Sequence, residues 1–510
     1  MDNEKQIMIP RILIALCLLC NAHATFAQSF QDYQDRLKTE YQNWENEYKQ
    51  KFKEYRDRIN AEFAEYMRQA WPEYKSKPAE PVPDSPEPPK PVVKDPDTPP
   101  SNDPIPFDEV KPATKPVAPP QPVVPLPTPE KPVAPKPAPP KPVEPAKPTE
   151  PVFAFTFYGQ KCEIPLENRH RFKLTNATEN AVADGWMVLS SDEYLPVIAQ
   201  CLEYRDKLHL PDWGYVRFVE QMTTAFFSAN QLNEARLMQM YILTQSGYKV
   251  RIGRADNRLV LLLPSDDDIY MYSYLIVGGK RYYVADKSMR QGSFHVFTRE
   301  FPKEQNFSLQ IAKQPLFASD LTVPRHLQSK HNNELAADVA INKGLIAFYN
   351  DYPLSNNWDI YANASLSEQT KEQLYPALRS CIAGKNNLAA ANILLHFVQT
   401  AFEYATDEEQ FGYERPLFAD ETLYYPYSDC EDRAILYSVL VRELLGLDVV
   451  LLHYPGHLAT AVCFDTEVSG DYIMIGGKRY TVCDPTYINA DIGQAMPQFK
   501  QTAASVIRTQ

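Results

Sequence analysis

From Phe30 the large apolar residues stand at Phe30, Tyr33, Leu37, Tyr41, Trp44, Tyr48, Phe52, Tyr55, Ile59, Phe63 and Tyr66, a 3-4-4 step that recurs every 11 residues. An 11-residue repeat over three turns keeps one stripe nearly straight along a helix, so residues 28–76 are predicted to form one long amphipathic helix. An aromatic stripe of that length is poorly tolerated in water, and the expectation is self-association, as in a coiled coil; the bland alternative is a helix lying on its own globular part. The pattern then stops. Residues 77–151 hold most of the 45 prolines, no glycine and one aromatic, Phe107, which predicts an extended, polyproline-like linker spanning up to ~230 Å at ~3.1 Å per residue.

Ahead of the stripe, residues 1–27 carry Lys5 and Arg11, an apolar run over 12–19 and small residues ending at Ala27, the layout of a cleaved signal peptide. The chain is therefore expected to be exported, periplasmic or extracellular. Lipidation at Cys20 is the weaker alternative because Leu19 is bulky for that chemistry. The run is too short to cross ~30 Å of hydrocarbon and none later is longer, so no transmembrane helix is expected in the mature chain. A formal net charge of -13 leaves no basic stripe for phosphates and excludes nucleic acid as a partner. Six cysteines remain beyond the leader (Cys162, Cys201, Cys381, Cys430, Cys463, Cys483) without CxxC spacing, and the nine histidines form no HExxH. Neither metal nor cofactor is expected.

Beyond residue 151 the composition becomes globular and blocks recur in order. YLPVIAQC (194–201), FVEQ (218–221), NEAR (233–236) and IVGGKRYYVAD (276–286) are followed by LYPALRSC (374–381), FVQT (397–400), CEDR (430–433) and MIGGKRYTVCD (474–484). Four blocks in register imply an internal duplication, with domains at 152–325 and 326–510. Between FVQT and CEDR the second copy carries about 18 extra residues rich in aromatics and acids.

Chemistry concentrates in the second copy. Ser428 with Glu431 reads as a capping box and Gly446 as a helix stop, which puts Cys430 on a first helical turn, where free N–H groups and the dipole favour thiolate. Residues 449–452 and 457–463 read as strands about Pro455-Gly456, and 471–484 as a hairpin about Gly476-Gly477. A cysteine at a helix start, His457 opening one strand and Asp484 closing the next is what a thiolate nucleophile, its base and an orienting acid require. His453, on the preceding strand, is the rival base. Cys463 and Cys483 are expected to point apart rather than bridge.

DCEDRAILYSVLVRELLG, GHLATAV and CDPTY resemble the signature blocks of the transglutaminase-like cysteine proteins, a papain-related family. The resemblance implies an α+β fold, Cys430 as nucleophile, His457 as base and Asp484 as orienter, with Asp432 as a buried partner at the helix start. The backbone N–H of Cys430 is the implied oxyanion donor, with Tyr427 and Tyr424 as side-chain candidates.

In the first copy Asn233 stands where Cys430 stands. Arg258, counted from Gly247 as His457 is from Gly446, takes the place of the base, and only Asp286 is kept. Neither amide nor guanidinium serves as thiol nucleophile or general base, so this copy is expected to be a pseudoenzyme domain. The expected function is a thiol hydrolase, peptidase or amidase, acting on a protein or peptide through an acyl-enzyme. Acyl transfer to an amine, that is cross-linking, uses the same intermediate; a catalytically silent binding or assembly module is the alternative from another class.

Overall fold

The computed structural model describes residues 5–83, 92–123, 152–289 and 291–510. The side chains of 5–32 and 34 lie outside the described residues, and with them the leader and Cys20; so do residues 84–91 and 124–151 of the Pro-rich segment. The fold is mixed α+β, and the chain divides into residues 1–63 and 64–510. Among the described residues no helix is long and apolar enough to cross a membrane.

The first unit lies on helix α1, Lys5–Met67. Along it Tyr41 and Trp44 have ring centroids 5.9 Å apart, Trp44 and Tyr48 5.4 Å, and Tyr48 and Phe52 4.3 Å. Among the described residues, Tyr41 and Trp44 are 63% and 57% exposed.

The helix expected over 28–76 ends at Met67, and its last stretch instead forms β1 (Glu73–Lys75), while the Pro-rich segment supplies β2 (Phe107–Lys111). Helices α2 (Leu195–Lys207), α3 (Asp212–Phe227) and α4 (Leu232–Gln245) precede β3 (Arg251–Ala255), β4 (Arg258–Pro264), β5 (Tyr274–Val277), β6 (Lys280–Val284) and β7 (Ser293–Val296). Later in the chain, α5 (Glu368–Ile382), α6 (Asn387–Thr400) and α7 (Cys430–Leu445) precede β8 (Asp448–Tyr454), β9 (His457–Cys463), β10 (Tyr472–Ile475), β11 (Lys478–Cys483) and β12 (Ala504–Arg508). The sheets run β1-β7-β3-β4-β6-β5 and β2-β12-β8-β9-β11-β10, the same order element for element. All pairs are antiparallel except β2 on β12.

Local sequence explains the strand ends. Gly476 and Gly477 take φ of +56° and +80°, the positive angles a two-residue hairpin needs, and the turn closes the Ile475–Lys478 pair. Helix α7 is buried from Cys430 to Val441 and almost wholly apolar from Ala434 to Val441, as expected of a helix central to a core. It packs on β8, β9 and α6 and stops at Gly446, whose φ is +68°.

The described part of the Pro-rich segment differs from the expected free spacer. Ile105, 3% exposed, sits in the core of the second sheet with Val450 and Leu452 of β8 and Ala459 and Ala461 of β9. Its N–H donates to Tyr472 O at 2.7 Å, and Pro106 O accepts from Ala504 N at 3.0 Å. Farther on, Val123 N donates to Gln245 O at 3.0 Å, behind α4. Proline removes donors but leaves carbonyl acceptors, and the scattered Ile, Val and Phe residues give such a segment apolar anchors on a sheet edge.

Replacing Ile105 with Ala is expected to destabilise the folded chain by roughly 2–5 kcal/mol, the range for a buried Ile truncation, read from chemical denaturation midpoints. A residue of a solvated spacer would show a change near zero.

Candidate active site

Cys430 is the first residue of α7 and is 4% exposed; His457 opens β9 at 1%, and Asp484 follows β11 at 3%. Antiparallel pairing of β9 with β11, Thr460 opposite Cys483, brings the start of one strand beside the end of the other. His457 Nε2 and Asp484 Oδ2 are 2.8 Å apart. The other carboxylate oxygen accepts from the backbone N–H groups of Thr486 and Tyr487, at 3.0 and 3.2 Å. Burial alone would push the imidazole down, but the Asp484 charge and hydrogen bond, with Cys430 adding to them, raise His457 to about 10. It therefore carries a proton at neutral pH, and Nε2–H donates to the carboxylate. Nδ1 has no hydrogen-bond partner among the described residues.

The thiol itself donates to Glu431 Oε2 at 3.0 Å. Glu431 is thus not the capping acid expected from the sequence: Asp429 is the N-cap and closes its capping box with Asp432, while Ser428 Oγ accepts from Arg433 Nε at 3.1 Å. The reason is competition, since a buried guanidinium needs acceptors more than a helix end does. Asp432, fully buried, accepts from Leu417 N and Asp429 N, which ties the start of α7 to the preceding loop.

Three groups that are not among the sequence candidates hold the site. Arg433, 1% exposed, donates to Gln399 O and Phe402 O at the end of α6. Gln399 Nε2 lies within hydrogen-bond distance of three carbonyls, those of Asp484, Tyr487 and Ala490, and so fixes the loop that carries the acid. Phe499 stacks on the His457 ring, centroids 4.8 Å apart and planes within 10°. Arg433 and Gln399 lie inside the repeated blocks, where the first copy has Arg236 and Glu220 as an ion pair at 2.9 Å; that correspondence is the signal the sequence offers. Phe499 stands in no block.

The other sequence candidates fall elsewhere. His453 pairs with Leu458 across the β8–β9 hairpin and lies 5.9 Å from the Trp358 ring, outside the Cys430–His457–Asp484 group. Tyr427 and Tyr424 are 42% and 37% exposed. All six described cysteines are free. In the first half Arg258 Nη2 meets Asp286 Oδ2 at 3.1 Å, and Asn233 on α4 donates to Asn257 O and accepts from Leu259 N, at 2.9 Å each. The amide there staples a helix start to a strand start.

Beside Cys430, Asp407, Asp429 and Glu431 each bring one carboxylate oxygen within 4.8 Å of the others, all three residues buried. They are the groups among the described residues able to hold a cation, although the sequence has no metal motif. Burial first, then mutual repulsion, raises Asp407 and Glu431 well above the usual carboxylate range.

Because the folded His457 value lies above 6.5, its charge contributes stability that is fully present below about pH 6.5 and is lost as pH rises through about 10. The stability advantage of the wild-type chain over a His457→Gln variant should shrink between about pH 7 and about pH 10 in thermal melts. An advantage constant across that window would contradict the buried imidazolium.

Comparison of the chain with family models, with curated proteins and with solved structures returns no match.

Proposed function

We propose that residues 326–510 form a transglutaminase-like, papain-related thiol hydrolase of the peptidase or amidase type, and that residues 152–325 are a copy of the same domain without its chemistry. The carrying observation is the buried His457–Asp484 pair at 2.8 Å, with the remaining ring nitrogen unpartnered and Cys430 close enough to raise the imidazole. The shared strand order of the two sheets and the four repeated blocks support descent from one domain. The Arg258–Asp286 pair, with Asn233 engaged in backbone bonds, supports a silent first copy.

In this reading the Cys430 thiol passes its proton to Glu431 Oε2, to which it donates, Sγ attacks the carbonyl carbon of an amide, and the carbonyl electron pair moves onto oxygen. The tetrahedral species collapses as the C–N bond breaks, and the His457 imidazolium gives its proton to the departing amine. Neutral His457 then takes a proton from water as the hydroxide adds to the thioester carbon; the C–S bond breaks, the acid leaves and Sγ takes its proton back from Glu431. An amine in place of that water gives acyl transfer. Asp484 holds the ring in place and stabilises its charged form throughout. The leader pattern of residues 1–27 supports action outside the cytoplasm.

Brief iodoacetamide labelling with peptide mapping should find Cys430 the most reactive thiol near neutral pH. His457→Ala should slow that alkylation at least about tenfold and abolish turnover, whereas His453→Ala should leave both within about twofold; these magnitudes follow from loss of the imidazolium that favours thiolate and protonates the leaving amine. Preferential labelling of Cys463 or Cys483, or the reverse response of the two histidine variants, would overturn the assignment.

A further inference from the structure

Tyr404 lies in the segment between FVQT and CEDR that lengthens the second copy relative to the first. Its backbone position is set by its neighbour: Glu403 bridges Tyr427, and Ser428 N donates to Glu403 O at 3.1 Å, two residues ahead of the nucleophile. The Arg433 guanidinium lies 5.4 Å from the Tyr404 ring centroid, and the same Arg433 binds Phe402 O. The Tyr404 hydroxyl is buried and has no hydrogen-bond partner among the described residues. A buried hydroxyl left unpaired costs roughly 1–3 kcal/mol, so its retention calls for an acceptor absent from the resting site.

We propose that Tyr404 Oη–H is the side-chain oxyanion donor of the Cys430 site, recruited when the attacked carbonyl oxygen becomes negative. Tyr424 and Tyr427, the sequence candidates, are exposed to water and lack the requirement for a new acceptor. The identification rests on the thiol-hydrolase reading above. As Sγ bonds to the carbonyl carbon, the C=O π pair becomes an oxygen lone pair; Tyr404 donates a hydrogen bond to that O⁻ and keeps its proton. When the pair returns to re-form C=O, the bond to the leaving group breaks. Burial, then the charges of Cys430 and Asp429, hold the phenol protonated far above neutral pH, so it remains a donor throughout. In the first copy the shorter stretch 222–232 between the same blocks holds no tyrosine, in keeping with its loss of the nucleophile.

Two reagents separate this role from a structural one without knowledge of the substrate. Acylation of Cys430 by p-nitrophenyl acetate passes through a tetrahedral oxyanion and expels nitrophenolate without a proton. Alkylation by iodoacetamide is a displacement at saturated carbon and makes no oxyanion. With the full chain, and Cys430→Ala as background, Tyr404→Phe should slow acylation about 10²-fold, the usual cost of one oxyanion donor, and leave alkylation within about twofold. Tyr424→Phe and Tyr427→Phe should leave both rates unchanged. Equal slowing of both reactions by Tyr404→Phe, no slowing of acylation, or selective slowing by either control would overturn the proposal. Failure of the underlying hydrolase reading registers separately, as an alkylation rate indifferent to His457→Ala.

Discussion

A charged pair buried where water cannot reach imposes demands on everything around it. His457 and Asp484 are 1% and 3% exposed, and an ion removed from water costs several kcal/mol unless partners replace its hydration. The second half of the fold is organised to supply them. Asp484 receives two backbone N–H bonds besides the imidazole, its loop is held through three carbonyls by Gln399, and Phe499 covers the ring face. Removing one member of such a pair leaves the other uncompensated at a cost of roughly 3–5 kcal/mol, so the geometry maintains itself only as a set. Cys430 adjoins this set: its thiol donates to Glu431, and it adds to the Asp484 contribution that keeps the imidazole charged.

A comparable demand acts at the edges of the two sheets. An unpaired edge strand exposes a row of N–H and C=O groups, and β7 and β12 would be such edges if the sheets held only strands from beyond residue 151. Instead β1 covers β7 and β2 covers β12, both drawn from the chain ahead of the globular halves. The two sheets are thus completed alike, each by a short strand from ahead of residue 151. Because β12 pairs with β8, which pairs with β9, the strap at 104–111 bears on the strand that carries His457.

What is legible in the sequence is local. The start of α7 at Cys430, the turn before His457 and the two-glycine hairpin before Asp484 follow from residues within a few positions of each event, and these place three side chains at element ends. The capping residue escapes a local reading because Ser428 answers to Arg433, five residues on, and not to its own helix. The Pro-rich segment escapes it because composition averages over Ile105, Phe107 and Val110, whose apolar side chains mark the docked stretch. Gln399, Phe499 and Tyr404 are set by partners that only tertiary packing provides, and no local pattern announces them.

The central claim is that a protonated His457 stands between Cys430 and Asp484 in the resting protein. Nitrogen-15 histidine NMR on the full chain, with His457 assigned from a His457→Gln spectrum, reads this directly. The account predicts that both ring nitrogens of His457 stay protonated well above neutral pH, lose a proton only near about pH 10, and do so at lower pH in Asp484→Asn. A His457 ring that titrates near 6.5 in the wild-type chain, or one whose titration ignores Asp484→Asn, would contradict it.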